Sequence, residues 1–394
     1  MQARRVAALG ILIFGLISLF GDVIYEGSRS IISPFLLNFG ASAFIVGAIL
    51  GLSEFIGYAL RIVFGMISDR TRSYWTIFIG GYLLLIAVPL LALAGAWHLA
   101  VALVLIERLS KAVRSPARDT VFSYATRGMG SGKAFGLHEL LDQIGAISGP
   151  AIVAAVLFAT GENFGAAFSA LFIPYLLMVS VLALAYFKLK PIVSIPSASM
   201  KRISFRNLPG EFITYSVSVA LNAMGLVPIG LILYRASPVT LPWIVAMIYL
   251  FTQAVDAVAA PLAGYLYDRA GRKLLYVPFA LSILPSSLIF LGGLEYIVAS
   301  ALLFGVIFGM HESIYRAAVA DLTPIEVRGS AYGVFHTFYG FGFLLSGGIF
   351  GFFMDNGLMY AAILFSIAAQ ALAMVLLRKT FRKSSLSHGT KITS

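Results

Sequence analysis

Long apolar runs, each close to the length that crosses a lipid bilayer, recur along the whole chain and constrain its fold more than any other feature. Of the 394 residues, 60% are hydrophobic and only 11% are charged, and the mean hydropathy is +0.93. A soluble domain has an apolar share nearer ~45–50%, whereas each run here approaches the ~20 residues that span hydrocarbon. The sequence therefore predicts an all-α polytopic membrane protein.

We predict twelve transmembrane helices, because the apolar runs are separated by short polar connections. The predicted spans cover residues 8–37, 42–68, 73–95, 97–122, 134–158, 164–188, 209–235, 240–267, 273–292, 296–322, 328–354 and 357–379. The longest connection, 189–208, is rich in proline, serine and basic residues. We therefore predict two six-helix bundles at 1–188 and 209–379, a cytoplasmic linker at 189–208, and a basic, disordered cytoplasmic tail at 380–394.

The net charge of +11 reflects orientation in a membrane rather than nucleic-acid binding. Most of the 28 Lys and Arg residues lie in alternate connections and at the two ends of the chain, and Arg235 lies on the opposite side. By the positive-inside rule, we predict a multi-pass protein of the inner (cytoplasmic) membrane with both termini in the cytoplasm. The first apolar run carries Asp22 and lacks a cleavage signal, so we expect it to be retained as a span. The absence of cysteine excludes disulfides and thiolate metal ligands.

Three sequence echoes indicate an internal repeat of six spans. They are Gly65–Arg72 with Gly264–Lys273, Gly132–Gly136 with Gly329–Gly333, and the pair Arg114 and Asp119 with the pair Arg316 and Asp321. Parallel repeats of six spans are a transporter architecture.

Three motifs carry a resemblance to a known family. A loop with the pattern Gly-x-x-x-Asp-Arg-x-Gly-Arg-Lys is complete at Gly264–Lys273, while in the first half Arg72 replaces its second glycine. Span five contains Gly-x-x-x-Gly-Pro at 145–150, and span four contains Glu-Arg at 107–108. The chain resembles a major facilitator superfamily (MFS) transporter over essentially its whole length. The last two motifs resemble those of the drug–proton antiporter branch.

The resemblance implies an MFS fold, with two pseudo-symmetric bundles that alternate access to a mid-membrane site. It also implies a monomer that uses a proton gradient and no cofactor. Spans one, four, seven and ten line the central cavity of such proteins, which implies that Asp22, Glu26, Glu107, Lys111, Arg114, Glu312 and Arg316 border it. The loops imply a cytoplasmic latch formed by Gly65, Asp69, Arg70, Gly264, Asp268, Arg269, Gly271 and Arg272. The antiporter-like motif comprises Gly145, Gly149 and Pro150, whose glycines would let helices cross closely.

Charged residues inside the spans are a further functional signal, because each is costly in hydrocarbon unless it meets a partner or water. The candidate substrate or proton-coupling residues are Asp22, Glu26, Arg29, Glu107, Lys111, Arg114, Glu139, Asp142, Asn222, Asp256, His311, Glu312 and Arg316. Acidic residues outnumber basic ones inside the spans, and a buried carboxylic acid without a partner takes up a proton, as proton coupling requires.

Helix depth predicts particular ion pairs among these charges. The predicted pairs are Asp22 with Lys111, Arg114 with Asp142, and Arg118 with Glu139. By contrast, Arg118, Asp119 and Asp321 lie near helix ends, where static ion pairs are the simpler interpretation.

Several functions stay open from the sequence. The leading hypothesis is proton-coupled efflux, by antiport, of a drug-like or organic compound. One alternative is proton-coupled uptake of an organic anion by Arg29, Lys111, Arg114 and Arg316. Another is export of a metal ion bound by Asp22, His311 and Glu312. The expected partners are a small-molecule or ion substrate, protons and the lipid bilayer, with no nucleic acid.

An enzyme is the alternative from another class, and we predict that the protein is not one. The run His138-Glu139-Leu-Leu-Asp142 differs by one residue from the H-E-x-x-H motif of zinc proteases. Its second histidine is absent, and no third metal ligand stands in a matching span, so we predict no metal site. The chain also has no Gly-Lys-Ser/Thr phosphate loop, which excludes transport driven by ATP.

Overall fold

The structure is a computed structural model that describes residues 2–126, 131–193, 208–325 and 327–389. Helices joined by short turns make up this part of the chain, without any strand. Most of the predicted linker, 194–207, and the end of the predicted tail, 390–394, lie outside the described residues.

Eight helices form before the linker, because apolar runs in lipid must satisfy their backbone polar groups internally. They are α1 (Gln2–Asn38), α2 (Ala43–Thr71), α3 (Tyr74–Leu83), α4 (Ala87–Leu90), α5 (Trp97–Ala125), α6 (Ser131–Ala159), α7 (Phe164–Ala170) and α8 (Phe172–Leu189). Span three consists of α3, α4 and two 3₁₀ turns around Pro89, whose ring removes a helical hydrogen bond. Span six consists of α7 and α8.

The second half repeats this arrangement with more interruptions. Its helices are α9 (Gly210–Met224), α10 (Ile229–Ala236), α11 (Pro242–Ala270), α12 (Tyr276–Leu281), α13 (Ile283–Leu288), α14 (Leu294–Met310), α15 (Arg316–Leu322), α16 (Arg328–Asp355) and α17 (Met359–Gly389). Pro228 separates α9 from α10, and Pro278 and Pro285 lie in the short helices of span nine. In span ten, α14 and α15 are joined by a π-helical turn, His311–Tyr315.

Ten helical segments of the described residues are long and apolar enough to cross a membrane. One of them, Pro242–Leu288, has 47 residues and contains two of the predicted spans. The remaining predicted span is α5, which is rich in charged residues. These segments therefore account for all twelve predicted spans.

The C-terminal tail differs from the sequence-based expectation. We predicted disorder from residue 380 onward, but α17 is helical as far as Gly389. The run from Arg378 contains lysine, arginine and leucine, which favour helix, and neither proline nor glycine before Gly389. The helix of span twelve can therefore continue past the end of its apolar part.

The described chain divides into two compact units. Unit one contains residues 2–40, 60–193 and 240–253, and unit two contains 41–59, 208–239 and 254–389, within the described residues. These units differ from the predicted halves at 41–59 and 240–253. Within unit two, Asp355 accepts hydrogen bonds from the backbone N–H groups of Ala43 (2.8 Å) and Phe44 (2.9 Å). Within unit one, the hydroxyl group of Tyr249 donates to Glu26.

Glycines bring α1 and α6 into direct backbone contact in unit one. A Cβ atom at Gly145 would meet the backbone oxygen of Leu19, and one at Gly149 would meet that of Val23 and lie 2.7 Å from the nitrogen of Gly27. The equivalent crossing in unit two joins α16 to α9. Small residues allow such close crossings, in which van der Waals contact stabilises helix pairs in lipid.

Gly149→Ala is expected to lower the apparent melting temperature by several degrees, because its methyl group has no space against the α1 backbone, and overpacking costs about 1–3 kcal/mol. Intrinsic tryptophan fluorescence of the detergent-purified protein measures this change without a thiol dye, which a cysteine-free chain could not bind. The matched control is Gly80→Ala, whose Cβ meets nothing within 4 Å. Equal melting temperatures for the two variants would contradict the close crossing.

Candidate functional site

Three basic side chains of unit one converge on a single phenol oxygen. Tyr25 Oη accepts hydrogen bonds from Arg29 Nη1 (2.9 Å), from Lys111 Nζ (3.1 Å) and from Arg108. The cationic groups also lie near its ring, with Lys111 Nζ at 4.4 Å and Arg108 Cζ at 4.7 Å from the centroid. The aromatic face attracts cations, so both the ring and the hydroxyl oxygen of Tyr25 interact favourably with the basic side chains.

Two carboxylates lie beside these basic groups. Glu26 accepts a hydrogen bond from the buried hydroxyl of Tyr249 and lies 3.5 Å from Arg29 Nη1. Glu107 Oε2 lies 3.4 Å from Arg108 Nε. Glu107 is only 5% exposed, and its other oxygen has no hydrogen-bond partner among the described residues. We call the set formed by Tyr25, Glu26, Arg29, Glu107, Arg108, Lys111 and Tyr249 the Tyr25 cluster.

A second polar cluster lies along the same helix, about two turns before Tyr25. Ser18 Oγ lies 3.3 Å from His138 Nε2, accepts from Arg118 Nη1 (3.0 Å) and lies 3.5 Å from Tyr82 Oη. His138 Nε2 is also 3.8 Å from Asp142 Oδ2. Helices α1, α3, α5 and α6 each contribute to this set, Ser18, Tyr82, Arg118, His138 and Asp142, which we call the His138 cluster.

The structure gives other partners to two of the three predicted ion pairs, while the pair of Asp22 with Lys111 stays a prediction. Arg118 pairs with Asp119 at 2.9 Å, and its predicted partner Glu139 is exposed. Asp142 pairs with His138 instead of Arg114. These predictions used depth along the helices, whereas partner choice also depends on the rotation of each helix and on side-chain rotamers.

Arg114 and Asp22, two of the predicted site residues, lie in unit one but belong to neither cluster. Arg114 donates to Ser110 Oγ at 2.7 Å and lies over the ring of Tyr82 at 4.8 Å. Asp22 lies between the two clusters, within electrostatic range of Lys111 and Glu26 on one side and of Asp142 on the other. Asp22 therefore connects the clusters along one face of α1.

Asn222 is a buried residue of unit two whose side chain forms hydrogen bonds to other side chains. Its Nδ2 donates to Ser282 (3.1 Å) and Gln370 (2.7 Å), and its Oδ1 accepts from Tyr315 (2.8 Å). The residue is completely buried. Because both donors and the acceptor bind protein groups, Asn222 links α9 to α17, to the π-helical turn of span ten and to Ser282 between α12 and α13.

His311 is the first residue of the π-helical turn in span ten. The His311 ring stacks on Tyr315 with 4.4 Å between centroids, and its Nδ1 lies 3.0 Å from Tyr339 Oη. Single π turns are frequent at functional sites. Glu312 is half-buried, whereas Arg316 is exposed and donates to the backbone oxygen of Glu312. Asp256 lies buried elsewhere in unit two, where α11 contacts Gly309.

Each loop motif has a residue in the left-handed backbone conformation at the same position of the motif. Gly271 has φ +64°, and Arg72, at the matching position, has φ +55°. Asp69 accepts a hydrogen bond from Tyr74 Oη at 2.9 Å. In the second half, Arg272 lies 3.9 Å from Asp321, at the end of α15, so the acid facing the motif arginine comes from span ten.

The other latch residues are placed as follows. The motif glycines Gly65 and Gly264 face Pro116 and Ser313, respectively. Arg269 lies over the ring of Tyr265, while Arg70 and Asp268 are exposed. The proposed latch stays a prediction.

The described residues contain no group of three or more His, Cys, Asp or Glu side chains that could hold a metal ion. The run at 138–142, which approaches a zinc-protease motif, instead faces Ser18 and Arg118 through its histidine and its second acid. Its glutamate, Glu139, is exposed. The chemistry of this segment is that of a polar contact between helices.

Twelve spans in two related halves, with charged side chains buried inside helices, are features of a secondary transporter. Residues 208–392 match the family model of the Major Facilitator Superfamily. The second half of the chain thus matches this superfamily, and the described chain has the fold of a membrane transporter of the MFS type. The predicted fold class is thereby confirmed, while the antiporter branch stays a prediction.

Two relatives from other organisms match this chain over most of its length. An uncharacterized protein of Mycobacterium tuberculosis is 35% identical over 93% of this chain and 91% of its own length. An uncharacterized MFS-type transporter of Methanocaldococcus jannaschii is 25% identical over 85% of this chain and 86% of its own.

Among solved structures, the nucleoside transporter NupG has a TM-score of 0.71 and 16% identity, covering 94% of this chain and 99% of its own. A POT family transporter in complex with 5-aminolevulinic acid has a TM-score of 0.72 and 14% identity, covering 98% and 97%. At these identities the two structures support the fold alone.

Tyr25→Phe is expected to destabilise the protein more than Tyr175→Phe. The first change removes an acceptor of charged donors, each such bond contributing about 1.5–3 kcal/mol, while the second removes a neutral bond to Leu83 O that contributes about 0.5–1.5 kcal/mol. Apparent melting temperatures of the two purified variants measure the difference. A smaller loss for Tyr25→Phe than for Tyr175→Phe would contradict the convergence of basic groups on Tyr25.

Arg72→Gly and Gly271→Ala should shift stability in opposite directions. Glycine adopts positive φ without strain, so Arg72→Gly should stabilise, and Gly271→Ala should destabilise, each by about 1 kcal/mol. Gly95→Ala, at a glycine with open space and no positive φ, is the control for melting measurements. Shifts of the same sign at 72 and 271 would show that the two turns are not equivalent.

Proposed function

We propose that the protein is a proton-coupled transporter of a small organic anion, and that the Tyr25 cluster binds the anionic group. Of the functions open from the sequence, this one was an alternative to drug efflux. The observation that favours it is the convergence of Arg29, Arg108 and Lys111 on one neutral oxygen.

A phenol oxygen is a poor match for this set of donors. A phenol hydroxyl is neutral, so it does not complement the positive charge of three basic groups. A carboxylate or phosphate group carries the complementary charge and binds the guanidinium fork in a bidentate way. Such a group, bound beside Tyr25, would match both the charge and the geometry of these side chains.

The adjacent carboxylates support coupling to protons. Glu26 and Glu107 compete with an incoming anion for the same basic side chains. When one of them is protonated, that competition disappears, so a proton and an anion bind more strongly together than separately. Because such coupling is reciprocal, anion affinity should rise as pH falls.

The distribution of charge supports a further proposal, which concerns the membrane and the orientation of the protein in it. Basic residues concentrated in alternate connections support a cytoplasmic-membrane protein with both termini in the cytoplasm. A proton gradient across that membrane would drive uptake of the anion by alternating access, in a monomer without a cofactor.

Ligand-dependent melting tests the proposal. The purified protein is heated with benzoate, glutarate or methylphosphonate, with the lipophilic cation tetraphenylphosphonium, or with glucose, at acidic and alkaline pH. A ligand that binds the folded state raises the melting temperature by mass action. At least one anion should stabilise the protein, and more strongly at acidic pH.

Two variants and a control locate the site. Lys111→Gln should abolish stabilisation by the anion, and Glu107→Gln, which resembles the protonated acid, should retain it at alkaline pH. Arg235→Gln removes an exposed arginine outside the cluster and should leave it unchanged. Stabilisation by tetraphenylphosphonium alone, favoured at alkaline pH, would refute the proposal and support efflux of cations.

A further inference from the structure

We propose that His138 and Asp142, together with Ser18, form the site at which the coupling proton enters and leaves unit one, separate from the Tyr25 cluster. This inference rests on the proposed proton-coupled function and assigns it particular residues. It also explains the polar run of span five, which neither the anion site nor a metal site uses.

The His138 cluster is built from four helices rather than from one surface. His138 is 4% exposed and approaches Ser18 of α1 at 3.3 Å, while its ring packs on Phe122 of α5 with 4.8 Å between centroids. Asp142 follows one turn later on α6, and its Oδ2 is 3.8 Å from His138 Nε2. A small side-chain rotation would bring this pair into direct hydrogen-bond contact.

Three polar atoms of this region are buried without a hydrogen-bond partner among the described residues. They are His138 Nδ1, Asp142 Oδ1 and Gln143 Oε1. Leaving a buried donor or acceptor unsatisfied costs about 1–3 kcal/mol, and structures rarely retain such atoms without a role. One ring nitrogen of His138 lies near Ser18, and the other has no hydrogen-bond partner among the described residues. Such an imidazole is suited to accept a proton at one nitrogen and to release a proton at the other.

The proposed transfer moves one proton in two steps. Protonated Asp142 gives its proton to His138 Nε2, which leaves a carboxylate beside an imidazolium ion. The imidazolium then releases its Nδ1 proton to water and becomes neutral. Uptake of a proton from water at Nδ1 and loss of the Nε2 proton return the ring to its starting tautomer. The carboxylate of Asp142 is reprotonated from the side of Asp22.

The charges around the pair come from every helix that packs against it. They are Asp22 with the hydroxyl of Ser18 on α1, Tyr82 on α3, Arg114, Arg118 and Asp119 on α5, and Glu139 on α6. The positive charge of Arg118 attracts the carboxylate of Asp142 and repels an imidazolium ion. A proton on His138 is therefore passed on rather than stored.

Helix α1 connects this site to the anion site. Ser18, Asp22 and Glu26 follow one another at steps of four residues, each a rise of about 6 Å, on one face of the helix. Asp22 lies within electrostatic range of both Asp142 and Glu26. Chains of acidic and histidine side chains of this kind serve as proton relays inside membranes.

Infrared spectroscopy tests the proton site without any substrate. The full chain is reconstituted in lipid and titrated with pH, and the carbonyl stretch of protonated carboxylic acids is recorded. Asp142→Asn should remove one pH-dependent band, and His138→Gln should shift its midpoint. Glu295→Gln, at an exposed acid of unit two, is the matched control and should leave the band in place.

Transport of radiolabelled methylphosphonate, which stays charged and does not cross lipid unaided, supplies the second readout in the same vesicles. Accumulation driven by a pH gradient should be lost in Asp142→Asn, because binding of the anion is then no longer coupled to a proton. Exchange of methylphosphonate at equal pH needs no net proton movement and should persist. Asp142→Glu, which keeps the acid, should restore accumulation and shows that the loss is not one of folding.

The outcomes separate this inference from the proposed function. Wild-type vesicles that move no methylphosphonate count against the proposed function for this anion, while the infrared band still decides on the proton site. An unchanged band in Asp142→Asn overturns the inference, as does full pH-driven accumulation by this variant.

Discussion

The backbone contact between α1 and α6 is the interaction on which unit one depends. Lipid gives helices no hydrophobic reason to associate, so their contact must come from close packing of small residues. Gly27 and Gly149 allow this approach, and a Cβ atom at Gly145 would lie 3.0 Å from that of Asp22. The crossing therefore holds the charged face of α1 among protein partners. A bulkier residue there would separate the helices and expose those charges to hydrocarbon.

The sequence was sufficient for the class of fold and for most of the helices. Apolar length predicted the spans, and α5 was identified despite its charges because apolar residues surround them. The motif at 145–150 was interpreted as a close helix crossing, and the structure places its glycines against α1. Such features depend on composition and spacing along one chain segment, which are visible without three-dimensional information.

The details of the candidate site were not predictable in the same way. Tyr25 is one of 18 tyrosines in an apolar chain, and nothing in its neighbourhood marks it as the common acceptor of three basic residues. The π-helical turn at His311–Tyr315 changes the helical period locally, so residues on either side of it no longer follow one face. His311, the first residue of the turn, is buried, and Arg316, directly after the turn, is exposed. Partners for buried charges depend on such rotations, which spacing along the sequence does not specify.

The turn at Arg72 has a consequence for how the two halves are compared. Both halves keep a left-handed residue at this position, although only the second keeps the glycine that favours it. The side chain therefore differs between the halves at this position, while the left-handed backbone conformation is shared. The family model matches 208–392, which includes the complete loop motif. A comparison of backbone angles thus relates the two loops at a position where residue identity does not.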